Sequence, residues 1–198
     1  MGKIVYIMGK SSTGKDTIFK ELIRGNKFPF KTLVTYTTRP KRSGEKEGYE
    51  YHFVTEDEYQ NMEKEGKVIE ARTYPSAMGP WRYFTVNDGQ LDTDNILITI
   101  GTLESYCSMK EYLKENKLIP VLVELDDGVR LQRALNREKK QKTPGYEEMC
   151  RRFLADQKDF SEENIKKAGI IKRFTNNDLL KCLHEIEDYI TRELENGC

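Results

Sequence analysis

Five apolar residues, Ile4-Val5-Tyr6-Ile7-Met8, run directly into Gly9-Lys10-Ser11-Ser12-Thr13-Gly14-Lys15-Asp16-Thr17, and an amphipathic stretch follows. No other feature of this 198-residue chain restricts its fold as tightly. A bare apolar run of this length reads as a strand buried on both faces, as in a parallel sheet. Ile18, Phe19, Leu22 and Ile23 then fall on one helical stripe that ends near Gly25. Strand, glycine-bearing loop and helix in this order are the context of a phosphate-binding loop, and the spacing is GxxxxGK. The loop from Gly9 through Ser11, Ser12, Thr13 and Gly14 is expected to curl its N–H groups around phosphate oxygens at the helix N-terminus. Lys15 is expected to reach the β- and γ-phosphates of ATP. Asp16 stands where Ser or Thr ordinarily binds Mg²⁺, so Asp16 or Thr17 is expected to contact that metal, directly or through water. A glycine- and serine-rich turn without a ligand is the plainer alternative; the agreement of strand, loop and helix speaks against it.

The rest of the chain alternates in the same way. Lys31 to Tyr36, Asn95 to Ile100, Ile119 to Leu125 and Lys172 to Thr175 read as strands. Helices are expected from Thr102, from a cap at Asp126-Asp127 through Arg137, from Tyr146 along Met149, Cys150, Phe153 and Leu154, and along Leu179, Leu183, Ile186, Ile190 and Leu194. Such alternation implies an α/β fold, a parallel sheet with helices on both faces. Residues 36–86 break the rhythm. They hold a capping-box pattern at Thr55 to Glu58, a short helix stopping at Gly66, and two strands, Val68 to Thr73 and Trp81 to Val86, close enough in sequence to be antiparallel. This block reads as an inserted, mostly β lobe. The core is then 1–35, 87–137 and 146–198, and the charged stretch 138–145 is expected to be a short helical lid.

The stretch from Thr35 through Arg39, Arg42 and Tyr51 is the most specific after the phosphate loop. Two arginines three residues apart, with a tyrosine nearby, suit a phosphate monoester. By itself this is equally an exposed basic loop; beside a phosphate loop it points to a second phosphate acceptor. Thr37 to Phe53, TTRPKRSGEKEGYEYHF, with the Lys67-Val68-Ile69-Glu70 run, resembles the GMP-binding signature of the guanylate kinase family. Phosphate loop, inserted lobe, arginine-bearing lid and C-terminal Asn-Asp follow in that family's order.

The resemblance implies a kinase that takes ATP, with Mg²⁺, and GMP or dGMP as acceptor. It implies that Arg39, Arg42, Tyr51 and Tyr83 hold the GMP phosphate, that Thr35 and Thr85 offer hydroxyls to the guanine, and that Glu70 accepts from guanine N1–H and the 2-amino group. A carboxylate is acceptor-only and guanine presents two parallel donors on that edge, so adenine would leave it unpaired. Lid arginines Arg133, Arg137 and Arg152 are implied to gather charge on the transferring phosphoryl group, and Asn176 to lie on the adenine side, with Asn177 its neighbour in sequence. One departure stands out: Thr99 and Gly101 occupy positions where the family carries aspartates. Two other readings keep the fold. One is a kinase for another nucleoside monophosphate or a phosphorylated sugar; the other is a non-catalytic binding module of the same fold. The intact loop and lid arginines speak against the second.

Charge supports small phosphate ligands. Lys+Arg and Asp+Glu number 33 each, so no basic excess suits the chain to nucleic acid. The balance is a sum of opposed blocks: residues 130–142 hold six basic residues and one acid, residues 178–198 six acids and two basic residues. No stretch approaches the roughly 20 apolar residues of a membrane span. Cys107, Cys150, Cys182 and Cys198 form no CxxC pair, and His52 and His184 stand alone, which reads as idle or buried thiols in a reducing cytoplasm rather than a zinc site. A monomer or homodimer is expected.

Overall fold

The computed structural model describes residues 2–74, 79–114 and 117–196; Cys198 lies outside them. All five residues of β1 (Ile4–Met8) are buried, as the apolar run requires. Ile4, Tyr6 and Met8 point to one face and Val5 and Ile7 to the other. β1 pairs in parallel with β7 (Leu97–Gly101) and with β8 (Leu118–Glu124), in the registers Ile4–Leu97 and Ile4–Leu118. β2 (Lys31–Thr32) and β9 (Arg173–Thr175) complete a parallel sheet of order β2-β7-β1-β8-β9. The first face is covered by Leu103, Tyr106 and Met109 of α3 (Leu103–Leu113) and Ile165 of α6 (Glu162–Lys167). The second is covered by Ile18 and Leu22 of α1 (Lys15–Arg24) and Cys182, Leu183, Ile186 and Ile190 of α7 (Leu179–Glu195).

A second sheet, order β4-β3-β6-β5, is built from β3 (Tyr36–Thr37), β4 (His52–Phe53), β5 (Val68–Tyr74) and β6 (Trp81–Val86). β5 and β6 are antiparallel, as expected from their spacing. Tyr59 of α2 (Glu56–Lys64) packs on Phe84 and Val86 beneath this sheet, and the Thr55–Glu58 capping box is formed. The single strand expected over Lys31 to Tyr36 is instead divided between the two sheets. Leu33 N still bonds Ile98 O, but at Val34 the Gln90 side chain takes over both backbone groups, accepting from Val34 N at 2.9 Å and donating to Val34 O at 3.1 Å. That side-chain clamp ends pairing in the first sheet and releases Tyr36 to the second.

α4 (Asp127–Glu138) starts at an Asp126 cap, and α5 (Tyr146–Asp159) follows. Of 138–145 only Glu138 is helical; its carboxylate accepts from Gly145 N at 3.1 Å and closes the turn between the two helices. Among the described residues no helix is long and apolar enough to cross a membrane.

Burial pushes the Cys182 thiol up to about 11, whereas Cys150 lies exposed on α5. Thiolate is the reactive form. Iodoacetamide at pH 8 is therefore expected to label Cys150 in the native protein and Cys182 only after unfolding, read by peptide mass; native labelling of Cys182 would contradict this packing.

Candidate active site

The loop after β1 is shaped by two close approaches. A Cβ at Gly9 would stand 2.3 Å from Val123 O, and one at Gly14, φ +90°, would stand 2.4 Å from Asn176 Nδ2. Neither position tolerates a side chain. Between them Ser12 adopts φ +66°, a conformation costly for a residue with a Cβ, and its buried hydroxyl has no hydrogen-bond partner among the described residues. Thr13, fully buried, donates to Lys10 O at 3.0 Å and accepts, through its carbonyl, the Asn176 amide at 2.8 Å. Burial thus separates the two candidate asparagines: Asn176 lies against the loop, Asn177 is exposed.

The loop is also held from the α4–α5 side. The buried Arg130 guanidinium donates to Ser11 O at 2.9 Å and to Asp156 Oδ2 at 3.0 Å, and Asp156 Oδ2 accepts from Ser11 N at 2.7 Å. Arg130 also bonds Asp127, which accepts from Gln157, and Gln157 accepts from Lys10. Arg130 is thus a strut rather than one more member of a solvated basic surface. Arg130, Asp127, Asp156 and Gln157 were not among the expected site residues; the only local signal for them is the i, i+3 pair Asp127–Arg130. Lys15 Nζ lies 3.3 Å from Asp16 Oδ2, and Asp16 and Thr17 are exposed on the first turn of α1. A carboxylate and a hydroxyl there are hard oxygen donors, which fit a divalent cation of the Mg²⁺ kind.

Across the cleft, Glu70 on β5 faces Thr85 on β6, and its buried carboxylate accepts from the Thr85 hydroxyl at 2.8 Å. On the same face Tyr83 is in edge contact with Tyr51 and Tyr74, both at 5.6 Å. Burial raises the Tyr51 phenol, which also feels the charges of Arg39, Arg72 and, across the cleft, Asp16 of the loop. Thr35, half-buried, lies between the sheets and accepts His52 N at its carbonyl, 2.9 Å.

The expected two-arginine fork is arranged differently. Arg39 is buried and bidentate on Glu45, at 2.8 and 3.0 Å, with further bonds to Pro40 O and the Tyr83 hydroxyl. Of its five N–H groups one remains for a ligand. Glu45, held below the usual carboxylate range by Arg39, also accepts Arg42 N at 2.7 Å. It fixes the loop from which the exposed Arg42 side chain projects. Arg42 meets Ser11, Ser12, Arg137 and Arg152 around one cavity of about 460 Å³ between the phosphate loop, the β3–β4 loop and the α4–α5 pair. Arg133 Nη1 approaches the loop at Gly14. Arg152 is held by Glu148, whose carboxyl is lowered to about 2 by hydrogen bonds, first to Arg151 and then to Arg152.

Comparison with known proteins gives the family and the fold. The family model described as guanylate kinase matches residues 1–87. A guanylate kinase of Mycoplasma mobile is 30% identical over 98% of this chain and 94% of its own. The chain belongs to the guanylate kinase family. Another guanylate kinase, from Caldanaerobacter subterraneus, is 31% identical over 77% of this chain and 70% of its own. The crystal structure of guanylate kinase from Anaplasma phagocytophilum superposes with a TM-score of 0.62 at 19% identity, covering 97% of this chain and 86% of that one, and shares its fold. The departure at Thr99 and Gly101 lies beyond the stretch matched by the guanylate kinase model. Thr99 is buried and donates to Leu33 O at 3.2 Å. A Cβ at Gly101 would stand 1.9 Å from the Tyr6 hydroxyl.

Arg130→Met is expected to destabilise the fold by about 3 kcal/mol, since it strands the largely buried Asp156 without its cation, and to weaken ATP binding by loosening the loop. Arg152→Met, at an exposed arginine, is expected to leave the urea midpoint nearly unchanged. Equal midpoints for both variants would show that Arg130 is not a strut.

Proposed function

We propose that this protein transfers the γ-phosphoryl group of ATP to GMP or dGMP, giving ADP and GDP or dGDP. The observation that carries this reading is the buried Glu70 carboxylate, bonded to Thr85 on the face that also bears Tyr51, Tyr83 and Arg39, opposite a complete phosphate loop. Glu70 has acceptor capacity left beyond its bond to Thr85, and guanine supplies two donors side by side. Thr35 and Thr85 offer hydroxyls to the same base. The acceptor phosphate meets Arg42, Tyr51, Tyr83 and the one free donor of Arg39.

On the donor side, the loop from Gly9 to Gly14 cradles the phosphates and Asn176 supports it. Lys15 neutralises the β- and γ-phosphates. Mg²⁺, held through Asp16 or Thr17, adds Lewis-acid charge when bound. The acceptor phosphate oxygen attacks the γ-phosphorus in line, the bond to the ADP oxygen breaks, and no covalent enzyme intermediate is needed. Arg133, Arg137 and Arg152 gather the charge that spreads over the transferring group. The lobe 36–86 and the lid 138–145 close over the core 1–35, 87–137 and 146–198, expelling water that would otherwise hydrolyse ATP. The protein acts as a cytoplasmic monomer or homodimer, without nucleic acid or membrane.

A coupled ADP-release assay across GMP, dGMP, AMP, CMP and UMP tests this. Turnover is expected with the guanine acceptors, abolished by EDTA and restored by Mg²⁺. Lys15→Ala is expected to lower kcat by about a hundredfold or more, and Glu70→Gln to erase most of the preference for GMP. Faster turnover of a non-guanine acceptor, or undiminished GMP preference in Glu70→Gln, would refute the reading.

A further inference from the structure

β5 presents two opposite charges to the cleft. Glu70 and Arg72, two apart on the strand, share one face, and their partners across on β6 are Thr85 and Tyr83. Arg72 therefore lies between the base-reading pair Glu70–Thr85 and the phosphate end, where the Tyr83 hydroxyl accepts from Arg39.

The Arg72 side chain is only 17% exposed, yet its Nε is buried with no hydrogen-bond partner among the described residues. Glu70 Oε2 stands 3.6 Å away, too far for a hydrogen bond. The hydrogen bond it does make is long, Nη1 to the Tyr74 hydroxyl at 3.4 Å. A guanidinium removed from water with a donor idle is unfavourable unless something in the site accepts from it.

Tyr6 of β1 fills the space beside residue 101 so completely that only glycine fits there. Burial raises its phenol, so the group stays neutral, and it lies within the field of both Glu70 and Arg72. The carboxylates of Glu70 and of Glu104 on α3 both act on Arg72, and a carboxylate beside a guanidinium can satisfy a ligand edge carrying both donors and acceptors.

We infer that Arg72 is a specificity-determining residue of the acceptor site: its guanidinium donates to an acceptor atom of the bound nucleoside while Glu70 takes the base's donors. This rests on the GMP reading above and adds a contact to it. The recipient is a base oxygen or nitrogen, or the ribose 2′-hydroxyl; the shared chemistry is a neutral acceptor at the nucleoside, away from the phosphate.

Calorimetric titration of GMP, dGMP and ATP into the wild type, Arg72→Met and Arg72→Lys tests it without requiring turnover. Arg72→Met keeps the length and apolar stem of the side chain and removes the donors. Its GMP dissociation constant is expected to rise by about tenfold to a hundredfold, the worth of a charge-assisted hydrogen bond, with ATP affinity unchanged. Arg72→Lys, which keeps a cation, is expected to fall between and guards against a methionine variant that folds poorly. A loss shared by GMP and dGMP assigns the bond to the base, and a loss confined to GMP assigns it to the 2′-hydroxyl.

In a cycle with Glu70→Gln, Arg72→Met is expected to cost GMP affinity again. If it costs nothing further there, Arg72 merely orients Glu70 and the inference is wrong. Unchanged GMP affinity in Arg72→Met also overturns it while leaving the proposed activity standing. A wild type that binds no GMP overturns both.

Discussion

Arg130 ties the phosphate loop to both helices that carry the lid arginines. It projects from α4, crosses to Asp156 on α5 and ends on the carbonyl of Ser11. A buried guanidinium is expensive unless its donors are met, and here two carboxylates and a main-chain oxygen meet them. The same Asp156 oxygen accepts Ser11 N, so the loop is gripped through both of its polar main-chain directions at one residue. From the other side Asn176 grips Thr13. The strained Ser12 lies between the two grips, where the surrounding bonds over-determine its backbone.

The acceptor side follows the same logic with different chemistry. Glu45 plays for the Thr37–Phe53 segment the part that Asp156 plays for the phosphate loop. It clamps Arg39 with two bonds and the Arg42 backbone with a third, so that one arginine becomes scaffold and the other remains exposed at the cavity. Tyr83 then joins the two ends of the lobe, bonding Arg39 through its hydroxyl and stacking edge-on between Tyr51 and Tyr74. Strand pairing of β5 with β6 aligns Glu70 with Thr85 and Arg72 with Tyr83.

Much of this architecture is legible without coordinates. Period and run length locate β1, α1, β5, β6, α4 and α7, because each buries a face that leaves a regular trace in the sequence. The trace fails where pairing is short. β3 and β4 have two residues each, and the Lys31–Tyr36 run looks continuous although a glutamine from residue 90 cuts it in two. α6, six residues long, leaves no period to read. Among the site residues, Asn176 and Asn177 look equivalent in sequence and differ only in burial, while Arg72 shows itself only once its strand partner and its idle Nε are known.

The sequence alone determined the α/β class, the phosphate loop and the acceptor signature, because these depend on local spacing: glycines where backbone must approach backbone, and apolar residues where a face must be buried. Tertiary structure decided which charges remain available for ligands. Arg39, Arg42, Arg72, Arg130 and Arg152 are the same residue type in the chain. Glu45 takes most of the first, Asp127 and Asp156 take the fourth, Glu148 holds the last, which lines the cavity together with Arg42, and Arg72 keeps a buried Nε without a partner among the described residues. The physical reason is that a guanidinium's role is set by the acceptors within about 3 Å of it: some are near in sequence, as Glu45 is to Arg39, but they come within reach only as the chain folds, and for Arg130 the acceptors on Asp156 and Ser11 come from distant segments.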